Sequence, residues 1–401
     1  MSTTMSTTLF TRRFEMNSVA DTALKAATRF WFGITVLGQL AFGFAVASFY
    51  GMTALRGDYH GWKFTHGFIP GVTRGNWAVV VHVITAAIIM LAGAIQLVPQ
   101  VRNRFPAFHR WNGRMYMLST IALSVAGVYM HWVRGSVGDV WQHIGGTLNA
   151  LLIWIFATLA LRYALARDFK THRRWALRMF LVVSGSWFIR IMLFLTLLIF
   201  RGPVGFDPAT FTGGYLTFLS FAQYLIPLGV LELYFLAQDH PSALRRMAMA
   251  GALFVLTLFM AVGLFALTMG IWVPQVKAAF DPRTSIAQTL AATIGSNGVE
   301  AAVKQYHELK AAAPKTYNFD EDELNALGYQ LLAANKFKDA IRILRLNVEV
   351  YPQSSNAYDS LGEAYMDDGD KALAIANYRK SLELNPRNAN GAKMLGKLMT
   401  H

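Results

Sequence analysis

Polar and apolar positions separate into long blocks over the first two thirds of the chain. Seven apolar runs stand out, at about 31–50, 79–98, 108–130, 141–161, 172–200, 213–237 and 247–273. At 1.5 Å rise per residue, about 20 residues cross roughly 30 Å of hydrocarbon, so each run predicts one membrane-spanning helix. The connections are polar and mostly short, which makes successive helices antiparallel and puts the two chain ends on opposite sides. From Lys277 the pattern changes to alanine-rich, charged sequence with helical periodicity. Within it Leu327 and Gly328 recur as Leu361 and Gly362, Ala340 as Ala374, and Pro352 as Pro386, a period of 34 residues. The reading is all-α: a seven-transmembrane helix bundle at 31–275, preceded by a tail at 1–30 and followed by a soluble α-helical repeat domain at 276–401.

Composition supports a polytopic membrane protein, since 54% of residues are hydrophobic and only 15% charged. The net charge of +14 does not signal nucleic acid, because the basic residues cluster in short loops between the apolar runs. One set of helix ends carries Lys25, Arg29, Arg102, Arg104, Arg110, Arg114, Arg162, Arg167, Lys170, Arg173, Arg174, Arg178, Arg245 and Arg246. The other has only Arg56, Lys63, Arg74, Arg134 and Arg201. By the positive-inside rule the first set is cytoplasmic. The expected location is therefore a bacterial inner membrane, with the N-terminus cytoplasmic and the repeat domain periplasmic. The first 30 residues lack a short apolar core followed by a small-residue cleavage site, so they read as a tail before an uncleaved helix. With no cysteine in the chain, thiolate metal sites and disulfides are excluded.

Four consecutive apolar runs each have a histidine close to their start: His82, His109, His143 and His172. Alternating helix direction brings His82 and His143 to one membrane face and His109 and His172 to the other. Two such pairs, one per leaflet, are the arrangement that holds two b-type hemes by bis-imidazole ligation of the iron. The histidine faces carry small or weakly polar residues, which serve close helix packing or make room for a flat macrocycle. Interfacial histidines beside Trp and Arg also anchor helix ends among headgroups, and His131 is a rival of His143 as a ligand. Arg190 lies 18 residues after His172, five turns and about 27 Å along an unbroken helix. That puts it at the level of His82 and His143, in reach of heme propionates, or makes it an interhelical hydrogen-bonding residue. Glu232 is either an intramembrane structural carboxyl or part of a proton or quinone site. His60 and His66 read as loop residues.

The stretch HVITAAIIMLAGAIQLVPQVRNRFPAFHRWNGRMYML, with THRRWALRM further on, resembles the bacterial membrane family called domain of unknown function 2306. The resemblance covers about 78–235, is carried by FHRWNGR and HRRW, and implies no activity. The pairing of helices 2 with 4 and 3 with 5, and the His109-Arg110-x-x-Gly113 motif, are more distantly similar to diheme cytochromes b. That similarity implies two hemes and transmembrane electron transfer, without an assignable donor. The 34-residue period resembles the tetratricopeptide repeat, with Tyr358, Leu361, Gly362, Tyr365, Ala374, Tyr378 and Pro386 at motif positions. It implies a surface for a periplasmic protein or peptide partner, or a stabilising cap.

Three expectations follow: a membrane electron carrier with two hemes, a non-catalytic scaffold or sensor whose repeats recruit a partner, and, least supported, a transporter. No apolar run contains the mid-membrane Gly-Pro break from which transporter sites are built.

Overall fold

A computed structural model of the chain describes residues 2–55, 73–208 and 210–399. It divides into two compact units, Met1–Phe280 and Asp281–His401. His60 and His66 lie outside the described residues.

The first unit is a helix bundle. Its elements are α1 (Ser2–Leu55), α2 (Thr73–Gln96), the short α3 (Pro99–Arg104), α4 (Pro106–Tyr129), α5 (Val140–Leu165), α6 (Phe169–Val183), α7 (Gly185–Phe200), α8 (Gly214–Asp239), α9 (Ala243–Leu267) and α10 (Val273–Phe280). Six of the described stretches are long and apolar enough to cross a membrane, and there are seven if the bent pair α6 and α7 counts as one span. Leu37, Phe44, Ile84, Leu118, Ile155, Phe218 and Phe254 are exposed on the outside of the bundle, as side chains solvated by lipid must be. Inside, Trp187 and Ile89 are buried in one core with Phe42, Phe180 and Met260.

Two features depart from the sequence reading. The expected tail at 1–30 continues α1 rather than preceding it. Ala20, Leu24 and Ala27 are buried, the latter two against Ala237, Met249, Ala250 and Leu253, and Arg246 of α9 holds Asp21 at 3.0 Å and Asn17 at 2.7 Å. The run expected as one helix over 172–200 is instead bent by 53° between α6 and α7. The cause is the Ser184-Gly185-Ser186 sequence, since serine and glycine together are a common origin of sharp kinks. Ser184 Oγ donates back to the Phe180 carbonyl at 2.8 Å and accepts from Gln39 Nε2 at 2.9 Å. Asn149 Nδ2 donates to the Val182 carbonyl at 3.1 Å, a carbonyl close to the break. Pro227 also lies inside α8. One candidate span is thus broken, though not at a Gly-Pro step, and α8 continues through Pro227.

The second unit stacks helical hairpins: α11 (Ile286–Asn297) with α12 (Val299–Ala312), α13 (Glu321–Ala333) with α14 (Phe337–Val350), and α15 (Ser355–Asp367) with α16 (Lys371–Leu384), closed by α17 (Ala389–Met399). Two two-residue strands, β1 (Thr284–Ser285) and β2 (Tyr317–Asn318), pair in parallel before the second hairpin. The recurring Leu-Gly explains itself here. A Cβ on Gly362 would lie 3.2 Å from the Tyr378 ring, and one on Gly328 would lie 2.5 Å from Leu344, so glycine lets each hairpin close.

Burial pushes the Glu323 and Glu363 carboxyls above the ordinary range, although Ser285 and the Ala287 amide donate to Glu323 and Tyr329 to Glu363. Above the ordinary glutamate range the native unit therefore keeps protons that the unfolded chain has released. Its stability falls as pH rises through that window and is regained on acidification. The unfolding midpoint of this unit in the full chain is expected to rise by roughly 2–6 °C between pH 7 and pH 5. Glu363→Gln should reproduce part of the gain at pH 7, and a midpoint that drops on acidification would contradict the burial argument.

Candidate functional site

At the end of the bundle that carries the basic loops, two histidines face one space. Pro106 occupies the first turn of α4 and fixes where that helix begins, which sets His109 one turn inside. Gln96, at the end of α2, reaches across: its Nε2 donates to the His109 carbonyl at 3.1 Å and lies 3.4 Å from His109 Nε2, while its Oε1 accepts from Asn112 Nδ2 at 2.8 Å. Asn112 also donates to the Ala92 carbonyl at 2.9 Å, so a polar clasp locks α2 to α4. His109 Nδ1 is buried with no partner.

On the opposite wall Asp168 caps α6 by accepting from the Thr171 amide at 3.1 Å, placing His172 in the first turn. His172 Nδ1 lies 2.8 Å from the Ala160 carbonyl of α5. A carbonyl only accepts, so Nδ1 carries the proton and, in the neutral ring, Nε2 keeps its lone pair. Both imidazoles line a cavity of about 2070 Å³. Trp31, Phe180, Phe188, Leu256 and Phe259 supply apolar walls. Lys25, Arg29, Arg102, Arg110, Arg114, Arg167 and Arg173 supply charge, and among the described residues no Asp or Glu lines it.

Glu232, the carboxyl left open between structural and functional roles, is held in a two-point ion pair by Arg178 at 2.7 and 2.8 Å. The pair ties α6 to α8. Reversing either charge alone, as Arg178→Glu or Glu232→Arg, is expected to lower thermal stability in detergent by about 1–3 kcal/mol, and the double reversal to recover most of it. Three variants of equal stability would show that the pair does not fasten these helices.

The other end is arranged differently from the sequence reading. The residues after α4, Met130–Gly135, continue as a π-helical turn, whose wider winding re-aims the side chains it carries. His131 stacks on His143, ring centroids 4.9 Å apart and planes 27° apart. Ser136 Oγ links them, 2.7 Å from His131 Nδ1 and 3.2 Å from His143 Nε2. Gly146 makes the space, because a Cβ there would lie 2.6 Å from His131 Nε2. Rings stacked face to face do not aim their nitrogens at a shared atom. His143 thus meets His131 rather than the expected His82. His82 packs beside Gly127, in the electrostatic neighbourhood of His131 and Arg190, with its Nδ1 buried and unpartnered.

The reach expected of Arg190 assumed a straight helix from His172; despite the bend at Ser184, Arg190 lies in the neighbourhood of His82 and Tyr50. Arg190 Nη1 donates to the Ser186 carbonyl, and its guanidinium sits 5.3 Å over the Phe42 ring. Sequence reasoning missed the Gln96–Asn112 clasp and the Ala160 carbonyl. Asn112 and Gly113 stand three and four residues after His109, which was a usable helical signal; a backbone carbonyl leaves none.

Residues 79–226 match the family described as predicted membrane protein (DUF2306), and residues 355–388 match the tetratricopeptide repeat. The first match runs from α2 into α8, and the second covers α15 and α16. Neither carries the likeness to diheme cytochromes b. Over 54 residues, 14% of the chain, the sequence is 43% identical to cellulose synthase operon protein C of Escherichia coli (strain K12) and, to the same extent, to the corresponding protein of Escherichia coli O157:H7. The match spans about 5% of the length of each of these relatives.

Proposed function

We infer that the membrane domain binds heme b between His109 and His172 and works as an electron-transfer module. One observation carries this reading: two imidazoles from different helices line a single cavity, one of them with its Nδ1 proton held by the Ala160 carbonyl, which in the neutral ring leaves Nε2 with its lone pair. Metal-ligating histidines typically donate their second nitrogen to such a partner. A heme bound there supplies low-spin, one-electron chemistry. The chain's own residues do the rest. Gln96 and Asn112 hold the start of α4, and with it the His109 ring, against α2. Arg110 and Arg173, each one residue beyond a ligand and both on the cavity wall, balance propionate charge. Phe180, Phe188 and Trp31 keep water from the iron site.

The two-heme expectation is narrowed to this one site, because the stacking of His131 on His143 speaks against a ligand pair at the other end. The location retained is an inner membrane with the basic end in the cytoplasm, which puts the repeat unit across seven crossings in the periplasm. The tetratricopeptide match supports a second role for that unit, docking a protein or peptide partner. The test of the heme reading is an absorption spectrum of detergent-purified full-length protein from heme-supplied cells, oxidised and reduced. A Soret band and a sharp reduced α band, at about one heme per chain, are expected. A colourless protein overturns the reading.

A further inference from the structure

The cavity is larger than one flat ligand requires. Small-molecule pockets run to roughly 300–1,000 Å³, and this one is about 2070 Å³. Beyond the two histidines it extends along a wall built by α1, α7, α8 and α9, where Trp31, Met192, Leu256 and Met260 face it. Among the described residues this wall has no His, Asp or Glu.

The charges sort in a telling way. Among the basic residues at this end, Arg174, Arg178 and Arg246 are neutralised by Asp239, Glu232 and Asp21, and none of the three lines the cavity. The seven that do line it have no carboxylate partner among the described residues. Arg104, Arg162, Lys170 and Arg245 are also without an ion pair among the described residues and lie off the cavity. A positive-inside bias alone still gives no reason for seven cations, and none of the ion-paired arginines, to gather on one cavity wall. An anionic group seated there does, and apolar walls below it suit hydrocarbon. Basic pockets between membrane helices are the usual way of holding phosphate headgroups.

We propose that this cavity binds a long-chain lipid with a net anionic phosphate headgroup, the head held by Lys25 and Arg29 together with arginines of the rim, the chains lying along the α1, α7, α8 and α9 wall. The proposal shares the cavity with the heme reading and does not rest on it.

The experiment is native mass spectrometry of the full-length protein, washed free of lipid in detergent and titrated with dioleoyl phosphatidic acid or dioleoyl phosphatidylcholine. One phosphatidate per chain is expected to bind at least about tenfold more tightly than phosphatidylcholine, and Lys25→Gln with Arg29→Gln to lower that affinity about tenfold. Arg174→Gln, which removes a charge already paired outside the cavity, should leave it unchanged. Equal binding of the two lipids overturns the proposal without any variant, so a double variant that does not fold leaves the test intact. An equal loss in Arg174→Gln also overturns it, by reducing the effect to net charge. Displacement of the lipid by millimolar inorganic phosphate overturns it by assigning the site to the free ion. Heme absorbance recorded on the same samples keeps the two readings apart: lipid selectivity without a Soret band defeats only the heme reading, and a Soret band without selectivity defeats only this one.

Discussion

Alanine at His172 is expected to remove the heme band from purified protein almost completely, and alanine at His109 to do the same, while His82→Ala and His143→Ala retain it. The asymmetry comes from geometry. His109 and His172 share a cavity, each would supply one imidazole to a heme held there, and no Cys or further His lines that cavity among the described residues. Loss of a partner that merely orients a ligand costs roughly 10–100-fold in metal affinity, so loss of a ligand itself should exceed that. Gln96→Leu offers an intermediate case: it frees the His109 end of α4 without touching the iron bonds, and reduced heme content with a normal reduced spectrum is its expected signature. Heme-to-chain ratios by pyridine hemochrome assay measure all of these. Halved heme in His143→Ala would show that the second pair binds after all. Unchanged heme in His172→Ala would defeat the site.

The parts of the fold that could be read in advance are those set by local repetition. Apolar runs of spanning length, and Leu327-Gly328 echoed by Leu361-Gly362, report periodicities that packing then obeys. The direction of each helix followed as well, and with it the meeting of His109 and His172 at one end. What failed was helix continuity itself. Ser184 looks innocuous in an apolar run, yet with Gly185 beside it and Gln39 and Asn149 reaching in from other helices it ends α6. Arg190 nonetheless lies in the neighbourhood of His82. The π turn at Met130–Gly135 likewise brings His131 to His143, where a regular helix was assumed. Neither stretch contains proline, and the Ser184-Gly185 pair is a weaker local signal than proline, which the hydrogen bonds from Gln39 and Asn149 reinforce. The cavity was not legible at all: its walls come from nine helices, α1 to α9, and the pairing that leaves some arginines free and others neutralised is decided by contacts such as Arg178 with Glu232, 54 residues apart.

The second large effect is expected in the repeat unit, at Tyr378. The ring is fully buried and rests on the bare backbone of Gly362, so α15 and α16 close around it. Truncation to alanine opens a cavity that a short helical hairpin cannot fill, at a cost of about 3–5 kcal/mol. Small domains have only about 5–15 kcal/mol of total stability, and in a stacked array each hairpin is held by its neighbours alone. Tyr378→Ala should therefore unfold α15 to α17 first, seen as new proteolytic cleavage after about residue 354 in the full-length protein, with the membrane unit unaffected. The hydroxyl makes the opposite prediction. Tyr378 Oη is buried without a hydrogen-bond partner, and a buried polar atom left unsatisfied costs about 1–3 kcal/mol. Tyr378→Phe keeps the ring and deletes that atom, so its unfolding midpoint should equal or exceed that of the natural protein. Destabilisation by phenylalanine of the size caused by alanine would mean that the hydroxyl, and not the ring, secures the hairpin. Gly362→Val tests the same contact from the other side: its side chain has to enter the 3.2 Å gap before the ring, and it should resemble Tyr378→Ala in protease sensitivity although no buried group has been removed.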